Sequence, residues 1–451
     1  LHLLSRRQRQ MCIRDSSGDV LLLFNPLQID AMFHGAAAIS IKERVEIGKN
    51  HGVFLNDGHD NVGQFLHKQT EEHLREVGAV NSQNCVDLDT GAVLFDSDLL
   101  KSLFGLISTD GKIDQDKFDR FVSEEARISF YGDFLYPLAK DSTLEQYYKE
   151  AAEGVINDTL LACRKEIWNA VRGYSMKLIC LSPAEFIHFG TTRELLQLVT
   201  KNVEDYSFLS WSKKVMTTGA EENTSFAAHN AYIGHAARIE SDCYIENSYI
   251  LDNSVVHSGA IVSNLHLRNV EVPGNIVWHG MTLKDGTVLI RVYGVLDNPK
   301  GRLQNDAGYL GTTLQVFMEK NKLVPSDLWN NEEDYLWFAN LYPVCRTKEE
   351  AVEFAVILSK MAAGEATEAE INRWKQSKRE SLCSSFNKAD VQHDCLFERE
   401  LESRILANKF IYQLSCGTYY KEALKTFGLR GISEHIYELS LIHISEPTRR
   451  S

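Results

Sequence analysis

The residue types in Phe186-Ile187-His188-Phe189-Gly190-Thr191-Thr192-Arg193-Glu194-Leu195 suit phosphate chemistry: an apolar run ends in a histidine, turns on a glycine and opens a helix at Thr191. Thr191 with Glu194 three residues on is a capping box, so the helix start is well marked. A polar side chain at a strand end, beside a helix N-terminus, is where α/β enzymes handle phosphate. Lys68 stands just past another apolar segment, and Asp89-Thr90-Gly91 interrupts a third.

The elements that must position these groups alternate between strand and helix. Leu21-Leu22-Leu23-Phe24 is a short strand closed by Asn25-Pro26, and Ala36 to Ile41 is a second apolar run. His51 to Leu55 and Val62 to His67 flank Asn56-Asp57-Gly58 and read as a hairpin. Thr70 caps a helix with Glu71 and Glu72 in its first turn. Val86 to Leu88 and Ala92 to Phe95 read as two strands around Asp89-Thr90-Gly91. Behind the cap Asp96, the residues Leu99, Leu100, Leu103, Phe104 and Ile107 predict a helix with one buried face. Met176 to Leu181 is the strand that feeds the opening motif, and the class up to this point is α/β.

Residues 206–228 read as a polar connection, after which the texture changes. Ile233, Ile239, Ile245 and Leu251 are spaced by six and, after a slip, so are Val255, Ile261 and Leu267. An aliphatic residue at every sixth position predicts a β-helix; an antiparallel meander is the plainer alternative. From about residue 302 the pattern is helical, over Leu314 to Asn321, Lys348 to Lys360 and Ala366 to Arg379, then more weakly over Glu398 to Leu406 and Lys421 to Phe427. Trp329, Trp337, Phe338 and Leu341-Tyr342-Pro343 read as packing anchors in that region.

Composition narrows the partners. A chain of 451 residues that is 44% hydrophobic can build two or three cores. A net charge of −14 argues against nucleic acid and anionic membrane as partners, but not against one bound nucleotide. The nine cysteines form no C-x-x-C pair, as expected of a reduced cytoplasmic protein. No apolar run approaches the roughly 20 residues of a membrane span. The two ends are related in another way. Met11 to Ser16 can be encoded by ATG TGT ATA AGA GAC AG, whose reverse complement translates to the Leu439-Ser440-Leu441-Ile442-His443-Ile444 of the other end. Residues 1–16 and 439–451 therefore read as adapter-derived tails. The divisions expected between them are 17–205 (partial α/β domain), 206–301 (linker and β-helix) and 302–438 (helical region), the whole cut at both ends.

Several motifs, in order, resemble the GDP-fucose pyrophosphorylase domain, a family also met in fusions with L-fucokinase. They are Ser17-Gly18-Asp19-Val20, His51-Gly52-Val53-Phe54, the strand–Lys68 step, Asp89-x-Gly91, more loosely Tyr131-Gly132-Asp133-Phe134, then Phe186-x-His188-x-Gly190-Thr191-x-x-Glu194-Leu195, and finally Arg291-x-Tyr293-Gly294-x-x-Asp297-x-x-Lys300-Gly301. The resemblance runs through nearly all of 17–438. It implies an α/β nucleotidyltransferase domain, a β-helix and a helical tail. The implied reaction is in-line attack of L-fucose-1-phosphate on the α-phosphorus of GTP, with Mg²⁺, giving GDP-fucose and pyrophosphate. No covalent intermediate is needed, so catalysis is positioning and charge stabilisation. Such enzymes hold the triphosphate in an N-terminal Gly-rich loop with a basic residue. That loop belongs upstream of Ser17, where the adapter-like residues begin, so the chain as given is expected not to turn over. A sugar kinase, fused or separate, is an implied partner, although no kinase-type Gly-rich loop follows residue 301.

The resemblance also implies roles. Asp19 would bind the metal, and it reads equally as a cap or turn aspartate. Lys68 would neutralise the sugar phosphate, against a plain surface lysine. Gly52 and Gly91 would let the backbone approach the sugar, and Asp89 would bond a sugar hydroxyl. His188, with Gly190 and Thr191 beside it, would meet metal or phosphate, or be a satisfied core histidine. Arg291, Tyr293 and Lys300 would reach a phosphate or, the favoured reading, close the β-helix. Asp133 is the weakest candidate. The rivals are a nucleotidyltransferase for another sugar-1-phosphate or base, a non-catalytic β-helix scaffold and a hexapeptide-type acyltransferase.

Overall fold

The computed structural model describes residues 13–15 and 20–415, other than 31, 124, 151, 153–154, 220–224 and 331–333. Asp19 and the helix expected over Lys421–Phe427 lie outside the described residues. The chain divides into two units between Gly190 and Thr191.

The first unit contains β1 (Ile13–Asp15), β2 (Val20–Phe24), β3 (Gly35–Arg44), β4 (Gly52–Asn56), β5 (Val62–His67), β6 (Cys85–Phe95), β7 (Ser175–Leu181) and β8 (Ala184–His188). One sheet runs in the order β5-β4-β6-β3-β7, with β1 on β6, while β8 and β2 form a separate antiparallel pair. β4 and β5 are the expected hairpin: Gly58 takes φ +83°, and Asp57 accepts the backbone N–H of His59 at 2.8 Å. Among the described residues of this unit, only β3 and β7 pair in parallel. β1, inside the segment read as adapter-derived, lies antiparallel to Val93–Phe95. Backbone pairing of this kind needs an unfilled strand edge and no particular side chains.

β3 is central because alanines and isoleucines fill both of its faces. Ala36 and Ala38 pack with Phe54, Phe65, Val93, Phe95 and Ile167, the last from α3 (Asp158–Val171). Ala37, Ile39 and Ile41 pack on the other side with Leu88, Leu181 and Phe186. Thr70 caps α1 (Glu71–Glu76) and Asp96 caps α2 (Ser97–Gly105), as their residue types require. The buried face expected of α2 is only partly buried. Leu99 is fully covered, but Leu100, Leu103, Phe104 and Ile107 line an apolar groove of about 1060 Å³ with Phe95 and Phe121.

A second departure concerns Asp89-Thr90-Gly91, which is no turn between two strands. β6 runs unbroken through it and bulges: Ala38 opposes Val93, whereas Ser40 opposes Asp89. Gly91 takes φ +70° there, and the Thr90 hydroxyl donates to the Ile39 carbonyl at 2.7 Å. Turn-type residues inside a strand mark a bulge when strong β-formers continue on both sides.

The second unit opens with α4 (Thr192–Gln197) and continues as a solenoid of about four turns. Its parallel strands are β9 (Lys214–Thr218), β10 (Ala227–Ile233), β11 (Tyr244–Ile250), β12 (Ile261–Ser263) and β13 (Ile276–Thr282), closed by the antiparallel β14 (Val288–Gly294). Part of the expected polar connection is thus a strand, β9, paired along β10. The β-helix reading holds but its period needs correction. Ala228, Ile245, Val262 and Trp278 stack in register, as do Ile233, Ile250 and Leu267. Inward positions therefore run Ile233, Ile239, Ile245, Ile250, Val256, Val262, Leu267, Val272 and Trp278, all in one core. The step shortens from six to five residues at one corner of most coils, which explains the slip. Leu251 and Val255 fall outside the core, and Ile261 packs outward with Leu196, Tyr244 and Val277.

Beyond the solenoid come α5 (Leu314–Lys320), α6 (Lys348–Ala363), α7 (Glu368–Gln376), α8 (Leu382–Lys388) and α9 (Val391–Ser415). Trp329, Leu341 and Tyr342 are buried in the solenoid's core, with Trp337 and Phe338 packed against it, so these residues are the expected anchors. Among the described residues no helix is long and apolar enough to cross a membrane.

Candidate functional site

Five of the described candidates, Gly52, Lys68, Asp89, Gly91 and His188, lie around the start of β4 in the first unit. Hairpin pairing sets His67 opposite Gly52, and the β6–β3–β7 pairing sets Asp89 opposite Ser40 and Ser40 opposite Cys180. A methyl group at Gly52 would lie 2.8 Å from the Phe65 ring and 3.0 Å from the Asp89 Cβ, so these residues share one row across the sheet. The gap left by Gly52 is filled by Phe65. The glycine's close approach is therefore to that ring rather than to open space. This row lies toward the carboxyl ends of the parallel pair β3 and β7, past the alanine-rich core, where α/β sheets present their ligand-binding edge.

Asp89 is the group most altered by this setting. It is 5% exposed, and its carboxylate accepts one bond, from the Gly91 N–H at 2.9 Å. Burial disfavours the charged form and pushes its pKa up to about 7, more than that one bond offsets. Gly91 thus serves the bulge and the carboxylate together.

On the neighbouring side, the His188 ring meets the His51 ring edge-to-face at 5.1 Å, and Phe186 stacks parallel to His188 with centroids 6.2 Å apart. β8 pairs His188 with Val20, the residue after Asp19 in the sequence. The His51 carbonyl accepts the Lys68 N–H at 2.9 Å, and Lys68 adopts φ +49°. Left-handed backbone costs a non-glycine residue about 1 kcal/mol or more, so a lysine held there is strained. Its side chain is exposed and lines a cleft of about 370 Å³ with Lys49, Asn50, Gln69, Thr70, Glu71 and Glu72. The two lysines of this cleft are matched by two glutamates.

The remaining candidates lie elsewhere. Gly190 closes the first unit, and Thr191 opens the second as the cap of α4. The Thr191 Oγ1 accepts the Glu194 N–H at 3.2 Å, and Glu194 in turn accepts the Thr191 N–H at 3.0 Å. Arg291 is 8% exposed and ties β14 to α8: its Nε donates to the Ser385 hydroxyl at 3.0 Å and its Nη2 to the Leu382 carbonyl at 3.1 Å. Asp297 accepts the N–H groups of Gly294 and Leu310, at 2.6 and 3.0 Å, which closes the solenoid's end. Asp133 is wholly buried in an ion pair with Arg164 at 2.7 Å. Three residues of the convergent region carried no assigned role in the sequence: His51, His67 and Phe65. Their signal was the hairpin register, which sets His67 opposite Gly52 and leaves Phe65 two residues away on the same face.

With this geometry in hand, the comparisons are decisive at the family level. The family model described as the fucose pyrophosphorylase domain matches residues 7–347, about three quarters of the chain. The chain belongs to the fucose pyrophosphorylase family. Among curated relatives, the human fucose-1-phosphate guanylyltransferase is 28% identical over 188 residues, which is 37% of this chain and 31% of that protein. Its mouse counterpart is 27% identical over 188 residues, 36% of this chain and 30% of that protein. The bifunctional fucokinase/GDP-fucose pyrophosphorylase of Arabidopsis thaliana is 23% identical over 393 residues, 81% of this chain and 35% of that protein. The chain thus spans about a third of the length of these relatives. The fucose pyrophosphorylase match takes in both the row around Asp89 and the solenoid.

Proposed function

We propose that this chain carries the sugar-phosphate site of a fucose-1-phosphate guanylyltransferase, which transfers GMP from GTP to L-fucose-1-phosphate and releases pyrophosphate. The family match over residues 7–347 carries the reading. The grouping of Lys68, His51 and His188 at the start of β4 supports it, as does the buried Asp89 on the face that carries Phe65. In this reading the first unit is a nucleotidyltransferase-type α/β domain, and its polar row is the substrate edge. The sugar-phosphate oxygen attacks the α-phosphorus directly, so the residues orient and neutralise instead of forming a covalent bond. The Lys68 ammonium meets the phosphate of fucose-1-phosphate, His188 and His51 donate to phosphate oxygens, and Asp89 bonds a sugar hydroxyl.

Magnesium enters with the nucleotide's phosphates. Carboxylate oxygen suits this ion better than imidazole, so Asp19 is the proposed contact and His188 is kept for phosphate. Among the described residues no group of three His, Cys, Asp or Glu side chains is placed to hold a metal. A sugar kinase that makes fucose-1-phosphate is the proposed partner, fused or separate, and the cytoplasm the proposed location.

The test replaces the residues before Ser17 with the N-terminal segment of the human fucose-1-phosphate guanylyltransferase. The chimera is expected to form GDP-fucose and pyrophosphate in equal amounts from GTP and L-fucose-1-phosphate, and less than a tenth as fast from other sugar-1-phosphates. Transfer to another sugar in preference, or to none, overturns the assignment.

A further inference from the structure

Three aromatic rings stack on one another at the end of β5, and one of them, Phe65, borders Asp89. Phe65 and His67 follow one another on the same face of β5, with ring centroids 6.1 Å apart and planes 15° from parallel. The Tyr131 ring lies 5.9 Å from His67 at 9° and 6.5 Å from Phe65 at 19°. Phe65 is buried, whereas His67 and Tyr131 are half-buried and so keep a face in reach of solvent. The ring of Phe65 and the Asp89 Cβ both border the point that a Gly52 side chain would fill. Lys68, the residue after His67, lines the 370 Å³ cleft.

Tyr131 is presented by a single helical turn, Phe130–Leu135, that is rigidly anchored. Asp133 in that turn is salt-bridged to Arg164 with both side chains wholly buried, and the Asp133 carbonyl accepts the Tyr147 hydroxyl at 2.6 Å. A ring held this firmly loses little freedom when a ligand settles against it, which favours binding.

We propose that His67 and Tyr131, backed by the buried Phe65, form the floor on which the pyranose ring of the phosphorylated sugar lies, with Asp89 taking one of its hydroxyls; this rests on the sugar-1-phosphate reading and deepens it. A pyranose offers an apolar C–H face and a polar rim. The rings match the first and the carboxyl the second, while Lys68 at the end of the same strand meets the phosphate. Aromatic faces supply binding area, and a buried polar group supplies discrimination, because it is left unpaired by a sugar that lacks the matching hydroxyl.

The experiment is calorimetric titration of the full chain, without GTP, using L-fucose-1-phosphate, L-galactose-1-phosphate, α-D-glucose-1-phosphate and inorganic phosphate. Tyr131→Leu and His67→Ala are each expected to weaken the preferred sugar phosphate about tenfold and inorganic phosphate less than twofold, while Tyr131→Phe, which keeps the ring, stays within twofold of the parent. Unchanged melting temperatures show that the variants are folded. Equal sugar-phosphate affinity in Tyr131→Leu and the parent overturns the floor and leaves the guanylyltransferase reading in place. Ring-dependent binding of glucose-1-phosphate in preference to fucose-1-phosphate keeps the floor and removes fucose as the substrate. Loss of GTP affinity in Tyr131→Leu, with sugar-phosphate affinity intact, assigns the rings to the nucleobase and also overturns the proposal, as does the absence of any sugar-phosphate binding by the parent chain.

Discussion

Lys68 and Asp89 each carry a cost that the fold alone does not require. Lys68 holds φ +49°, a conformation that glycine adopts freely. Lys68→Gly is therefore expected to leave the melting temperature unchanged or raise it slightly, while weakening fucose-1-phosphate binding about tenfold in calorimetry. A fall in stability with unchanged binding would make Lys68 a structural residue. Asp89 is a carboxyl whose folded pKa, about 7, lies above its unfolded value of 3.8. The folded state then holds a proton that the unfolded state releases. This favours folding below pH 4 and is lost as pH rises from about 4 through 7. At ~1.4 kcal/mol per pKa unit, the loss reaches up to ~4 kcal/mol. Asp89→Asn removes the titration. Its urea midpoint is expected to stay flatter than the parent's between pH 4 and 7.5, and parallel profiles would refute the assignment.

At the scale of elements, the solenoid tests how far periodicity can be trusted. A strict six-residue count puts Leu251 in the core, whereas the stacked register puts Ile250 there, beneath Ile233 and above Leu267. Ile250→Ala is expected to cost 2–5 kcal/mol by analogy with other buried aliphatic truncations, and Leu251→Ala less than ~1 kcal/mol, both read from denaturant unfolding. The reverse order would restore the six-residue count. The hairpin, the capped helices and the solenoid as a class were legible in the sequence because each depends on neighbours a few residues apart. The five-residue corner steps were not, since a coil's length is fixed by the stacking of one turn on the next. The bulge at Asp89 escaped for a similar reason: a glycine and a polar pair look alike in a turn and in a bulge until the partner strand β3 is present.

Among the described residues the first unit packs around both faces of β3, and the second packs inside the solenoid and out to Trp374 and Leu382. Each is large enough to unfold cooperatively, so calorimetry is expected to resolve two transitions. Asp133→Ala, which strands the buried Arg164 charge, is expected to destabilise the first unit by ~3–5 kcal/mol and lower one transition only. A uniform shift of both would mean that the units melt together.

By itself the sequence determined the solenoid and the helical region after it, the family resemblance and several residues around the start of β4, because strand and helix signals, caps and motif order are local. The chain divides between Gly190 and Thr191, inside the motif that ends β8 and opens α4. Only the tertiary structure decided which of the marked residues meet. His188 faces His51, a residue with no assigned role. Asp89 is buried beside Phe65, Arg291 and Asp133 are held by other protein groups, and Thr191 caps a helix of the other unit. Such meetings depend on sheet order and register across many tens of residues, and those are set by how β3 and the strands beside it fill both faces of one core, a condition that no local pattern encodes.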